Sequence, residues 1–169
     1  MTQSHFYYFA YGSNMASERL AQRVPSALVV GVYPLPQHRL MFHKVSKDGS
    51  AKADAFFTGD DNDELLGVVF HIDPAEKPSL DKVEGLGYGY ELKQLEVAGE
   101  SGKALTVFLY VATQIDKALK PYDWYKKHVL IGAQEAGLPD TYIANIAAVE
   151  AIVDADNQRA AREFSIHKK

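Results

Sequence analysis

Two short stretches of the sequence combine glycines with polar side chains that could do chemistry. The first is Tyr11-Gly12-Ser13-Asn14, which ends an apolar, aromatic run that begins at Phe6. A glycine-containing turn between a strand and a helix points backbone N–H groups at one place, where an anion can bind. The same residues also suit a plain turn in which Ser13 or Asn14 caps the next helix. On spacing alone, the capped turn is the commoner arrangement.

The second stretch is Leu-Asp-Lys-Val-Glu-Gly, residues 80–85, which is followed by two more glycines and two tyrosines. Glu84 would end a short helix, with Tyr88 and Tyr90 close behind it. A carboxylate among aromatic side chains is poorly solvated, which makes it a better base towards a weakly acidic proton. The alternative is a solvated glutamate at the end of a surface helix, followed by a flexible turn.

Other catalytic chemistries find less support in the sequence. The chain has no cysteine, which excludes disulfides and thiolate catalysis. Ser13 could act as a nucleophile only with a base beside it, and no G-x-S-x-G motif surrounds it, so a serine-dependent amidase is the less favoured alternative. His38 and His43 are spaced poorly for zinc, and the acidic turn at residues 60–63 lacks the ligand spacing of a calcium loop. We therefore expect no metal site.

Composition limits the class of protein. The 169 residues suit one domain, and a formal charge of −4 argues against binding to a nucleic-acid backbone. The N-terminus has no signal-peptide pattern, and no apolar run approaches the ~20 residues that a membrane helix needs. We expect a cytoplasmic protein without membrane or nucleic-acid partners.

The order of strand and helix patterns predicts an α+β protein. A buried strand at 6–11 is followed by a helix at 15–24, then by a strand-rich middle that includes a hairpin turn at 99–103, and finally by helices. Because strands dominate the middle, we predict a mixed β-sheet curled into a small barrel flanked by helices. We expect a single domain over residues 1–153 and a polar C-terminal tail over residues 154–169.

Four stretches, in this order, resemble the gamma-glutamylcyclotransferase family. They are Tyr8–Met15 (YFAYGSNM), the strand ELLGVVFHI that begins at Glu64, Leu80–Gly85 (LDKVEG) and Trp124–Pro139 (WYKKHVLIGAQEAGLP). The resemblance implies a reaction on a γ-glutamyl amide or amine, in which the substrate's own α-amino group attacks its γ-carbonyl. The products would be 5-oxoproline and a free amino acid or amine. Because the nucleophile belongs to the substrate, the resemblance implies no cofactor and no metal.

The resemblance also implies roles for particular residues. Glu84 would be the catalytic general acid and base, and the partner would be a small γ-glutamyl substrate. The substrate-binding residues would be Tyr8, Phe9, Ala10, Tyr11, Gly12, Ser13, Asn14, Tyr90 and Tyr125.

One departure from the family pattern affects substrate choice. Many members carry a tyrosine where this chain has Glu91, and Tyr90 comes one position early. A dipeptide, glutathione or a γ-glutamyl amine all stay open as substrates. A non-catalytic module that binds an amino-acid-like ligand is the alternative to the enzyme, and a homodimer is left open.

Overall fold

A computed structural model describes residues 6–99 and 102–167 of the chain. The elements follow the order expected of an α+β protein, with strands through the middle and helices at the end. The strands are β1 (Tyr7–Ala10), β2 (Leu28–Pro36), β3 (His38–Val45), β4 (Ala51–Phe57), β5 (Glu64–His71), β6 (Tyr90–Ala98) and β7 (Ala104–Ala112). The helices are α1 (Ser17–Arg23), α2 (Lys77–Glu84), α3 (Asp123–Glu135), α4 (Asp140–Ala147) and α5 (Asn157–Ser165), with short 3-10 helices at Ser13–Met15 and Pro74–Glu76. The hairpin turn predicted at 99–103 includes two residues outside the described part.

Strand β1 lies in the middle of a five-stranded sheet whose order is β2-β5-β1-β7-β6. It runs antiparallel to β5 and parallel to β7. A strand in this position is covered on both faces, which explains why it is apolar and aromatic rather than alternating. Phe9 and Ala10 are fully buried. Because β1 is central, the residues that follow it, Tyr11 to Asn14, lie near the centre of the molecule.

The predicted small barrel is wrong. Strands β2 and β6 form the two edges of the five-stranded sheet, and β3 and β4 pair with each other in a separate two-stranded sheet. A barrel needs a hydrogen-bonded ladder between its first and last strands. Strand β2 is poorly suited to a second ladder, since Pro34 and Pro36 lack N–H donors and the register shifts between Val29 and Gly31.

The β3–β4 hairpin packs over the end of the sheet through polar contacts. The backbone N–H of Ala112, at the end of β7, donates to the Asp54 carboxylate at 2.8 Å. The other oxygen of Asp54 contacts Nε2 of His43 at 2.7 Å, and both side chains are buried. These contacts fix β4 beside β7, and β4 becomes one wall of the cavity described below.

Helix α3 packs directly against the Ser13–Met15 turn. Its buried residues recur at helical spacing, among them Tyr125, His128, Val129 and Gly132. A Cβ at Gly132 would lie 2.5 Å from Cβ of Met15 and 2.6 Å from the backbone N of the next residue. This close approach requires glycine, because a side chain would push the helix off the turn.

The C-terminal residues of the described part return to α3. Residues 157–165 form α5, and Asp154 just before it is almost fully buried. Its carboxylate accepts from Trp124 Nε1 at 2.9 Å and from Arg159 Nε at 2.6 Å. None of the helices built from the described residues is long and apolar enough to cross a membrane.

We expect Gly132→Ala to destabilise the protein by about 1–3 kcal/mol, because the new methyl overlaps Met15 and the backbone of the turn. The free energy of unfolding from urea denaturation measures the loss. Gly31→Ala is the matched control, since its Cβ would meet only a Tyr33 ring carbon at an ordinary 3.6 Å. Equal stability of the two variants would contradict the close packing of α3 on the turn.

Candidate active site

A cavity lies where β1 ends. Eight of the ten residues that the sequence singled out line it. They are Tyr8, Tyr11, Gly12, Ser13, Asn14, Glu84, Tyr90 and Tyr125, and Ala53 and Tyr110 complete the lining. Phe9 and Ala10 do not line it. The ring of Phe9 instead fills the space beside Gly67 on β5, where a Cβ would lie 2.5 Å from its Cζ.

The Asn14 side chain does not cap a helix, so that expectation is wrong. The 3-10 helix and α1 begin after Gly12 and Ala16, and neither start is capped by a side chain. Instead, Nδ2 of Asn14 donates to the Tyr8 hydroxyl at 3.0 Å and to the Glu84 carboxylate at 2.8 Å. Its Oδ1 accepts from Arg23 at 3.0 Å. The amide is turned into the cavity and joins the two sequence motifs directly.

Glu84 is the last residue of α2, and its carboxylate points into the cavity. Gly85 ends the helix in the left-handed region at φ 69°, which glycine adopts without strain. The Glu84 side chain is 14% exposed and accepts from Asn14 and, at 3.4 Å, from Nη1 of Arg23. These donors fix the orientation of the carboxylate.

Tyr88 does not help to desolvate Glu84, contrary to expectation. Its side chain is 82% exposed, whereas Tyr90 is buried and lines the cavity. Glu91 is exposed on β6. It occupies the position at which many members of the resembled family carry tyrosine. Tyr90 therefore occupies the cavity wall although it comes one position early.

Buried tyrosines build much of the cavity wall. The backbone N–H of Ala53 donates to the Tyr125 hydroxyl at 3.0 Å, and the Tyr90 hydroxyl donates to the Ala53 carbonyl at 2.6 Å. The Tyr11 hydroxyl donates to the Tyr110 carbonyl. Burial raises the pKa of Tyr11, Tyr90 and Tyr125, so their hydroxyls keep their protons at neutral pH.

Gly12 is required by close approach rather than by an unusual backbone angle. Its φ is −114°, and a Cβ there would lie 2.9 Å from Cβ of Ala53 and 3.4 Å from the Tyr125 hydroxyl. The first N–H groups of a helix have no partner within it, so those of the turn can bind a ligand. Without a side chain at Gly12, Ala53 and Tyr125 can lie close to the turn.

Ser13 is held by a buried arginine rather than by a catalytic base. Nε of Arg19 donates to the Ser13 hydroxyl at 3.1 Å, and the hydroxyl also bonds with Tyr125. In the described part of the chain, no histidine or carboxylate forms a hydrogen bond with Ser13. Nη1 of Arg19 in turn donates to Glu163 on α5 at 3.2 Å. The turn is therefore linked to the C-terminal helix.

Sequence reasoning missed four residues of the site: Arg19, Arg23, Ala53 and Tyr110. The helical pattern at 15–24 places Arg19 on the side that faces water, with Glu18 and Gln22. The four-residue spacing of Arg19 and Arg23 is the available signal that their side chains point the same way. Tyr110 is buried in a core strand, where an aromatic residue needs no function to explain it. Its hydroxyl donates to Asp81 of the second motif.

Comparisons with known proteins point to one family. Residues 64–146 match the model of the AIG2-like family. The gamma-glutamylcyclotransferase of Homo sapiens is 35% identical over 153 residues, which cover 88% of this chain and 80% of the human protein. The Mus musculus protein of the same name is 35% identical over 150 residues, with 86% and 79% covered. A solved structure of a gamma-glutamyl cyclotransferase superposes with a TM-score of 0.80 at 31% identity, covering 94% of this chain and 99% of that one.

We expect Glu163→Gln to lower the free energy of unfolding at pH 7 by about 1–3 kcal/mol. Burial by itself raises the pKa of Glu163, but the His128 ring, whose Nε2 lies 3.7 Å from the carboxylate, and the Arg19 charge outweigh it and lower this pKa from 4.5 to about 2. The stability that the carboxylate contributes is therefore present above about pH 4.5 and is lost as the pH falls towards 2. Urea denaturation of both proteins at pH 7 and pH 3 measures the difference.

The control is Glu150→Gln, which removes the exposed ion pair with Lys120 and should change stability by less than about 1 kcal/mol. A deficit of Glu163→Gln that is as large at pH 3 as at pH 7 would show that the buried charge is not its source.

Proposed function

Since the chain belongs to the gamma-glutamylcyclotransferase family, we propose that it cyclises a γ-glutamyl amide to 5-oxoproline and releases an amino acid or amine. The observation that carries the proposal is the shared cavity, in which Asn14 Nδ2 donates to the Glu84 carboxylate at 2.8 Å. A carboxylate able to move protons and a turn able to bind an anion thus face the same space.

The walls of the cavity would determine the shape in which the glutamyl group binds. The reaction needs the α-amine of the substrate close to its own γ-carbonyl carbon. Walls fixed by the Tyr90 and Tyr125 hydrogen bonds to Ala53 would hold the chain in that folded shape, which lowers the barrier by orientation.

Glu84 would transfer the protons. It removes one proton from the substrate α-ammonium, whose nitrogen then forms a bond to the γ-carbonyl carbon. The tetrahedral intermediate collapses as the bond from that carbon to the leaving nitrogen breaks. The leaving nitrogen takes the proton from Glu84, which returns to its starting state. The ring nitrogen still carries two protons after the attack, and it gives the second one to the released amine, which leaves as an ammonium. One carboxylate therefore serves as base and then as acid, and no group of the protein is consumed.

The turn and its neighbours would bind the negative charges. The substrate carries an α-carboxylate, and the γ-carbonyl oxygen becomes negative in the intermediate. Backbone N–H groups near Gly12 and Ser13 are donors for one of these charges. Because burial keeps the tyrosines protonated, the hydroxyls of Tyr8 and Tyr125 can only be polar, uncharged neighbours of the substrate.

Three expectations remain predictions: that glutathione is a substrate, that the protein acts in the cytoplasm, and that it forms a homodimer. A dipeptide, glutathione and a γ-glutamyl amine differ only in the group that leaves, and each is a candidate for the assay below.

We expect Glu84→Gln to lower kcat for 5-oxoproline release by about 10²–10⁴-fold, because the amide cannot take or give the proton. Purified protein is incubated with γ-glutamyl-alanine, and 5-oxoproline is measured by chromatography. Glu91→Gln is the matched control, since it removes an exposed carboxylate seven residues away in sequence, and its kcat should match that of the parent. Full activity of Glu84→Gln with an unchanged melting temperature would overturn the role of Glu84. No 5-oxoproline from any γ-glutamyl substrate would overturn the proposed function.

We expect Gly12→Ala to lower kcat/KM by about 10–100-fold, because the new methyl meets Ala53 and narrows the place where the reacting group must sit. The double variant Gly12→Ala, Ala53→Gly removes the 2.9 Å contact and should recover part of the activity. If the second substitution brings no recovery, contact with Ala53 is not the cause of the loss.

A further inference from the structure

The C-terminal helix α5 reaches the active-site turn through a buried arginine. Arg19 on α1 is 6% exposed. Its Nη1 donates to both carboxylate oxygens of Glu163 on α5, at 3.2 and 3.3 Å, and its Nε donates to the Ser13 hydroxyl at 3.1 Å. The donors of a guanidinium lie in one rigid plane, so a carboxylate that holds Nη1 also fixes the direction of the Nε–H bond. Glu163 therefore acts on a cavity residue, although Glu163 itself does not line the cavity.

The ion pair between Glu163 and Arg19 is buried, and stability alone does not explain it. The other group beside the Glu163 carboxylate is the ring of His128, which is fully buried, with its Nε2 at 3.7 Å. Burial lowers the pKa of His128 to about 4, so this ring is uncharged at neutral pH. That leaves Arg19 as the cation that pairs with Glu163 in the described part of the chain. Exchange of a buried ion pair for apolar side chains is often neutral or stabilising, which points to a role of this pair outside the fold.

The contacts of Ser13 and Tyr125 leave one hydroxyl hydrogen for the cavity. Arg19 Nε–H and the backbone N–H of Ala53 can only donate, so the Ser13 oxygen accepts from the first and the Tyr125 oxygen from the second. Ser13 and Tyr125 also bond with each other, which uses one of their two O–H hydrogens. The second hydrogen has no acceptor among these four groups. Because Ser13 and Tyr125 both line the cavity, it is available to an oxygen of the substrate.

We propose that Glu163 and Arg19 are positioning residues for the cyclisation, which together fix the direction of the Ser13 hydroxyl and so of the O–H that meets the substrate. This inference rests on the proposed function. The Arg19 donors already bind Glu163 and Ser13, so Arg19 acts through Ser13 rather than on the substrate. A donor that turns away from its acceptor loses most of the hydrogen bond, which makes the direction of the hydroxyl matter for the rate.

The test replaces the ion pair by apolar side chains of similar length, in the double variant Arg19→Met, Glu163→Met. We expect its melting temperature to stay near that of the parent protein, because both charges leave together. Its kcat/KM for γ-glutamyl-alanine should fall by about 10–100-fold, because the Ser13 hydroxyl loses its fixed direction. Glu163→Gln should keep most of the activity, since the amide oxygen still accepts from Nη1.

A cycle with Ser13→Ala separates positioning from a general effect on the fold. Ser13→Ala should lower kcat/KM by a similar factor, and adding the two methionine substitutions should cause no further loss, since no hydroxyl is left to orient. If the two methionines slow Ser13→Ala as much as they slow the parent protein, the pair does not act through Ser13 and the inference is overturned. Full activity of Arg19→Met, Glu163→Met also overturns it.

Arg159→Gln is the matched control on the same helix. It removes the bonds of Arg159 to Asp154 near the start of α5 and leaves Glu163 and Arg19 in place. It should lower the melting temperature and leave kcat/KM unchanged. A loss of activity as large as that of the methionine pair would show that any loosening of α5 is sufficient, which contradicts a specific role of Glu163.

A measurement without turnover tests the positioning itself. The Nε–H of Arg19 is assigned by NMR from its absence in the methionine pair, and it should exchange slowly with water in the parent protein. Rapid exchange would overturn the fixed contact with Ser13, whether or not the protein is active. Absence of 5-oxoproline with the parent protein is a failure of the proposed function instead, and the exchange rate still decides whether Arg19 is fixed on Ser13.

Discussion

The site depends on a single side-chain amide. Asn14 donates to Tyr8 on β1 and to Glu84 on α2, and it accepts from Arg23 at the end of α1. An amide can do this because it carries donors and an acceptor at a fixed separation, whereas a carboxylate could only accept and would repel Glu84. The central strand, the turn and two helices are therefore held in one arrangement by hydrogen bonds that meet at one residue. Two motifs that lie seventy residues apart in sequence become neighbours through this contact.

The glycines of the site act mainly through the space that they leave. Gly12 lets β4 approach the turn, Gly132 lets α3 lie against it, and Gly89 makes room for the Lys44 ammonium. In each case a Cβ would come within 3.0 Å of another atom. Interiors are packed too densely to absorb such overlaps. The turn is thus confined from several sides, and its rigidity comes from packing rather than from the helix cap that its sequence suggested.

Charge is distributed unevenly between the surface and the site. The chain has a formal charge of −4, yet four basic side chains gather around Glu84: Arg19, Arg23, Lys44 and Lys52. Three of them have a carboxylate partner, so the local excess rests on Lys44. The overall negative charge does not exclude a small anionic ligand, because dissolved salt screens a buried cation far less than a surface cation. Hydrogen bonds also link the C-terminal helix to the site. Arg19 donates to Glu163 on α5 and to Ser13 in the turn.

The sequence by itself determined the α+β class, the buried character of β1 and the two motifs that meet at the cavity. Those features depend on local patterns, such as an apolar run or a glycine after a helix. Tertiary structure alone decided that the sheet stays open, that Asn14 binds Glu84 rather than capping a helix, and that Tyr88 faces solvent while Tyr90 faces the cavity. It also decided that Arg19, Arg23 and Lys44 surround the carboxylate. The physical reason is that a polar side chain has several satisfactory partners, and only the packing of distant elements determines which partner is within reach.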